Sequence, residues 1–262
     1  MRLSRVVFLA LLAPALLLLP VAAVPSQAAV SIGISVGFAP PPLPVYDQPP
    51  IPGPGYIWMP GYWAWGPAGY YWVPGTWVLP PGIGLYWTPP WWGWNGSVYV
   101  FHAGYWGPRV GFYGGINYGF GYFGTGYVGG YWRHDRFYYN RRVNNFGGRH
   151  IPWVYDRPVN RPEHNGVGFN GGVGGMPGAP NAHEQAVARG RHWQPPRPQV
   201  EHFDSARKVP GLRSTTNQGQ PPFVVTPRAG RFNETGAVIR SPRVQPPPRA
   251  AQPQQRRQQK GP

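Results

Sequence analysis

A six-residue unit, W-x-P-G-x-W, stands twice within residues 56–79, as Trp58, Gly61 and Trp63 and, fourteen positions on, as Trp72, Gly75 and Trp77. Between the copies lies Gly66-Pro67-Ala68-Gly69, and a proline at the second of four positions with glycine after it is the composition of a tight β-turn. A fold-back centred between Pro67 and Ala68 opposes residues whose numbers sum to 135. The spacing therefore predicts an antiparallel hairpin carrying ring pairs, Trp65 with Tyr70, Trp63 with Trp72 and Trp58 with Trp77. Such pairs contribute roughly 0.5–1.5 kcal/mol each beyond simple burial.

What surrounds this stretch limits the rest of the fold. Gly (38) and Pro (37) make up more than a quarter of the 262 residues, so an aliphatic core of ordinary size is not expected. Twelve of the thirteen tryptophans fall between Trp58 and Trp153, and the only charged side chain between Gln48 and Trp132 is Arg109. Residues 87–92 hold a looser third copy of the unit with Pro90 where glycine would stand, and a strand is expected over 97–102. Residues 111–130 alternate Gly with Tyr and Phe and show no apolar stripe at helical spacing, which argues against helix. A last strand pair is expected over 131–146, turning at His134-Asp135. The expected fold class is mainly β: a small aromatic, Gly-rich antiparallel β-hairpin domain at 55–147, preceded by a Pro-rich linker at 29–54. After it comes a long disordered basic tail at 148–262, where Pro, Gly, Gln and Arg recur and apolar residues are few, with one marginal helix at 181–189.

Arg2 and Arg5 precede an apolar run at 6–19, and Ser26-Gln27-Ala28 places small residues where a signal peptidase reads them. The expectation is a signal peptide at 1–28, export to the periplasm or outer envelope of a bacterium, and no transmembrane span once it is removed. With 24 Lys and Arg against 8 Asp and Glu, the chain is strongly cationic at +16. Spread through Pro-rich sequence, this charge predicts salt-sensitive contact with anionic envelope polymers rather than specific nucleic-acid binding. The absence of Cys excludes disulfides, thiolate metal sites and cysteine nucleophiles.

The paired W-x-P-G-x-W units, the residues Ile116-Asn117-Tyr118-Gly119-Phe120-Gly121-Tyr122, and then Tyr138-Tyr139-Asn140 and Val143-Asn144-Asn145 together resemble the bacterial YXWGXW (WXXGXW) repeat proteins over residues 55–147. That resemblance implies an exported envelope protein, and it carries over no catalytic residue.

No catalytic, cofactor or metal site is expected. Three G-x-G-x-x-G matches, at 119–124, 124–129 and 166–171, lack the strand-then-helix setting that cradles a pyrophosphate. His183-Glu184 opens like a zinc helix but has Val187 where a second His must stand, and the remaining histidines show no ligand spacing. Asp135, His134 and Glu163 do not form an acid and base held on rigid elements. The aromatic rings are the candidates that remain, either as core or as stacking platforms for glycans. Trp91, Trp92 and Trp94 lie outside the hairpin register and are the expected exposed rings, with Arg109 and Arg133 as polar contacts. Sheet edges at Tyr56 and Tyr131 would permit self-association. The function expected is non-enzymatic adhesion or scaffolding at the envelope, the alternative being a carbohydrate-binding module.

Overall fold

A computed structural model describes residues 33–232; the segment read as a signal peptide and the chain beyond 232 lie outside the described residues. In chain order the strands are β1 (Ser35–Val36), β2 (Ile57–Met59), β3 (Tyr62–Gly66), β4 (Gly69–Val73), β5 (Thr76–Val78), β6 (Tyr86–Thr88), β7 (Trp91–Trp94), β8 (Tyr99–His102) and β9 (Tyr105–Gly107). They continue as β10 (Asn117–Gly119), β11 (Tyr122–Phe123), β12 (Gly130–Arg133), β13 (Arg136–Asn140), β14 (Val154–Tyr155) and β15 (Phe169–Asn170). Helices α1 (Ala182–Arg189), α2 (Arg197–Lys208) and α3 (Ser214–Asn217) follow, with a 3-10 turn at Pro210–Leu212. The protein is thus mainly β, in many small sheets whose pairings are mostly antiparallel.

The expected hairpin forms in the expected register. Trp58 pairs with Trp77, Trp63 with Trp72, Trp65 with Tyr70, and Gly66 with Gly69 across the turn. The ladder breaks between β2–β5 and β3–β4 because Pro60 and Pro74 stand there without an N–H to donate. The tryptophan pairs meet edge to face, with centroids 5.3 Å apart in both.

A second hairpin repeats this frame. β6 pairs β9 and β7 pairs β8, setting Trp87 opposite Trp106, Trp92 opposite Phe101 and Trp94 opposite Tyr99. Each of these residues stands 29 positions after its counterpart in the first hairpin, as 87 − 58, 92 − 63 and 106 − 77 show. The looser third copy is therefore one strand of a full hairpin. The indole Nε1 of Trp92 donates to the Trp63 carbonyl at 2.8 Å and ties the two hairpins together.

The Tyr- and Gly-rich segment after β9 forms turns and the short pair β10–β11, as glycine at positive φ (Gly114, Gly121, Gly124) allows. Its phenols point inward: Tyr122 donates to the Trp87 carbonyl at 2.9 Å and Tyr118 to the Pro90 carbonyl at 2.6 Å. The strand pair β12–β13 turns at His134-Asp135 as expected, with His134 at φ +54, and β14 adds in parallel.

Two expected boundaries are corrected. The proline-rich segment is a strap bound to the hairpins rather than a spacer. Its Leu43 and Ile51 are buried, the Pro42 carbonyl accepts the Trp63 indole at 3.1 Å, and the Pro49 carbonyl accepts the Trp77 indole at 2.9 Å. The segment expected to be disordered from residue 148 belongs, as far as residue 232, to the folded body. Helix α2 buries Gln199, His202 and Ala206, while Val224 and Val225 enter the core. Val224 and Thr226 exchange backbone hydrogen bonds with Gly75, and the Val224 carbonyl takes the Trp72 indole at 3.0 Å. Few apolar residues suffice because the hairpin offers unused polar groups for the segment to satisfy. The marginal helix is α1, closed at its start by reciprocal Asn181–Glu184 capping. Among the described residues no helix is long and apolar enough to cross a membrane.

Candidate functional site

The repeat residues are structural. Trp58, Trp63, Trp72 and Trp77 are all buried. A Cβ on Gly75 would stand 2.7 Å from Cζ2 of Trp58, and one on Gly61 would meet Cζ2 of Trp72 and, at 2.9 Å, the Gly75 nitrogen. Each glycine is therefore the floor beneath an indole from the opposite strand, which no other residue could provide at this separation. In the second hairpin a Cβ on Gly104 would lie 2.8 Å from Cη2 of Trp87, so that one such contact is kept.

The rings expected to be exposed fare differently. Trp92 is buried at 2% exposure, because in the repeated frame it occupies the place of Trp63. Trp91 is half-buried and lies flat on His102, with centroids 3.8 Å apart and planes 5° apart; desolvation lowers the His102 pKa below 6.5. Trp94, also half-buried, contacts Tyr99 at 4.8 Å. All three lie within the second hairpin's register rather than outside it.

Rings reach solvent on the β12–β14 sheet instead. Tyr131, 41% exposed, stacks parallel on its cross-strand neighbour Tyr138 at 5.5 Å and contacts Tyr155 at 5.1 Å. The Arg136 guanidinium sits 5.0 Å above the Trp153 ring, and Arg133 is the cross-strand partner of Arg136. Arg133 thus lies on the same sheet as these rings, whereas Arg109 lies exposed in the loop after β9, outside it. Both sheet edges named above have a tyrosine hydroxyl on them: Tyr139 donates to the Tyr56 carbonyl at 2.8 Å, and the Trp132 N–H donates to Tyr86 at 3.0 Å.

Concave surface occurs at the first hairpin's tip. A cleft of about 380 Å³ is lined by Gly66, Pro67, Ala68, Gly69 and Tyr71 on the hairpin side and by Arg207, Lys208 and Arg213 opposite. Burial pushes the Tyr71 phenol above 10.0, an effect the Arg207 guanidinium opposes and the Asp204 carboxylate reinforces. A second cleft, of about 410 Å³, lies beside Leu79 and is lined by both Arg228 and Glu201. Among the described residues no group of three or more His, Asp or Glu is placed to hold a metal. His134 and Asp135 sit in the β12–β13 turn, and the three glycine motifs fall in turns and short strands, none opening directly into a helix.

Residues 53–78, the first hairpin, match the WXXGXW repeat in two copies. This stretch carries two WXXGXW repeats. No curated protein and no solved structure matches the chain. Within the WXXGXW repeat the tryptophans and glycines build the core, and the surface chemistry comes from segments outside it. The cationic cleft is not legible in the sequence because Arg207 and Arg213 stand more than 130 residues from the Gly66–Gly69 turn they face. Its only local trace is the cluster Arg207, Lys208 and Arg213 in a polar segment.

Proposed function

We propose that this protein is a non-enzymatic, exported protein of the bacterial envelope that acts by adhesion or scaffolding, holding anionic envelope polymers against a basic exterior. The observation that carries this reading is the division of labour in the fold: aromatic rings form the interior and arginine supplies most of the surface charge. Residues 33–232 hold 16 Lys and Arg against 7 Asp and Glu, a difference of 16 − 7 = +9. The acidic groups in ion pairs are exposed and spaced at 2.7–3.9 Å from their partners, so they leave the long-range field positive. The N-terminal sequence, read as an export signal, supports an envelope location, and polyanions there are carboxylated or phosphorylated polymers.

The test is titration of the full chain with an acidic polysaccharide and with a neutral one of equal length. The expected result is binding of the acidic polymer alone, abolished near 0.5 M salt, where the screening length is about 4 Å. Equal, salt-insensitive binding of both polymers would overturn it in favour of a second reading, a carbohydrate-binding module, which the solvent-facing Tyr131–Tyr138 stack favours. In that case Tyr131→Ala should remove binding of the neutral polymer.

A further inference from the structure

The geometry points to the cleft at the tip of the first hairpin as a discrete oxyanion site, where Arg207, Lys208 and Arg213 clasp one carboxylate or phosphate group of an acidic polymer against the Gly66–Gly69 turn. This rests on the polyanion-binding reading and locates it on named side chains.

Three observations converge. The cleft is concave, at about 380 Å³, large enough for a charged sugar or a phosphodiester unit. Its hairpin wall is Gly66, Pro67, Ala68, Gly69 and Tyr71, which present no carboxylate. Three cations face that wall from two separate segments, and Arg207 pairs with the exposed Asp204 at 3.4 Å. Such a pair contributes little and yields readily to a competing anion.

The helix dipole explains only part of this clustering. Arg207 and Lys208 occupy the last turn of α2, where cations are favoured in any case. Arg213 does not belong to that helix. It is carried past the 3-10 turn and fixed by a backbone bridge to Tyr71 on the hairpin itself. The supports are rigid, since α2 is anchored through buried His202, whose Nε2–H donates to the Pro74 carbonyl at 2.8 Å. Like charges held together on a fixed frame repel unless an anion intervenes, and guanidinium groups grip carboxylate and phosphate oxygens with paired hydrogen bonds. Pre-organisation of this kind lowers the ordering cost of binding.

The experiment compares three full-length proteins against polygalacturonate, a polyphosphate and neutral dextran. One is unmodified, one is R207Q/K208Q/R213Q, and one is R149Q/R157Q/R161Q, which loses the same charge elsewhere on the surface. The cleft triple is expected to lose at least about tenfold in affinity for its preferred polyanion and the control less than about twofold, tenfold being about 1.4 kcal/mol. Whichever of carboxylate or phosphate shows the larger difference identifies the group bound. Ala68→Glu, an exposed change at the lip, should weaken binding without touching the fold, which keeps the proposal testable if the triple variant unfolds. Equal losses in both triples, or no effect of Ala68→Glu, would overturn the cleft while leaving diffuse polyanion binding intact. Absence of binding by the unmodified protein would overturn both.

Discussion

In the first hairpin each of two glycines lies beneath an indole from the opposite strand, Gly75 under Trp58 and Gly61 under Trp72. In the second, only Gly104 lies beneath one, that of Trp87. The position matching Gly61 is Pro90, and the position matching Trp72 is Phe101, each 29 residues on. The two departures belong together. A phenyl ring is shorter than an indole, and where no indole reaches across, a side chain can stand on the facing strand. The unit of the repeat is thus a reciprocal pair, one large ring and one bare α-carbon on opposite strands, rather than a six-residue string.

The sharpest way to break this comparison is Gly61→Ala. The added methyl meets a buried indole and, at 2.9 Å, the Gly75 backbone, so a loss of roughly 3 kcal/mol or more is expected in denaturant unfolding followed by near-ultraviolet circular dichroism. An unchanged midpoint would mean that the glycine serves some other purpose.

The hairpins also differ in how α2 holds them. Trp106 of the second donates to Gln199 at 2.7 Å, whereas Pro74 of the first accepts from His202. His202 is buried, accepts the Gly230 N–H on Nδ1 and has its pKa lowered by desolvation from 6.5 to about 4. Between those values the unfolded chain takes up a proton that the folded one refuses, so stability falls as pH drops from 6.5 to about 4. The loss attributable to this residue is about 2–3 kcal/mol. Replacing His202 with Gln should flatten that part of the pH profile, and an unaltered slope would assign it to other groups.

A double-mutant cycle tests reciprocity directly. Trp72→Phe imports the second hairpin's solution into the first, and Gly61→Ala should then cost less than in the parent, with a coupling of about 1–2 kcal/mol. Strict additivity would sink the pairing argument. The smallest effect is expected from Pro90→Gly, about 1–2 kcal/mol, since no indole waits above that position and what is lost is chain entropy and the burial of one small ring.

The register of the first hairpin was legible because a proline-glycine turn and symmetric tryptophans left one way to fold back. The second hairpin is hidden in the sequence by its two compensating substitutions, and the buried place of Trp92 with it. Helix α2 escaped for a different reason. Its inward stripe is Gln199, His202 and Ala206, spaced as a helix requires but largely polar, so a search for apolar periodicity passes over it. The strap looks like a spacer in the sequence because its contribution is made by main-chain carbonyls. Indoles donate and do not accept, prolines accept and do not donate, and this match leaves no side-chain pattern to detect. Charge was legible as a total but not as a cleft, since convergence across more than 130 residues is a property of the fold.

The Trp72 indole finds its acceptor on Val224, 152 residues further along. A ribosome delivers the hairpin long before it delivers that carbonyl. The earliest part of the molecule to acquire a shape is therefore among the last to become complete, and for much of its synthesis the nascent polypeptide carries a ring whose partner does not yet exist.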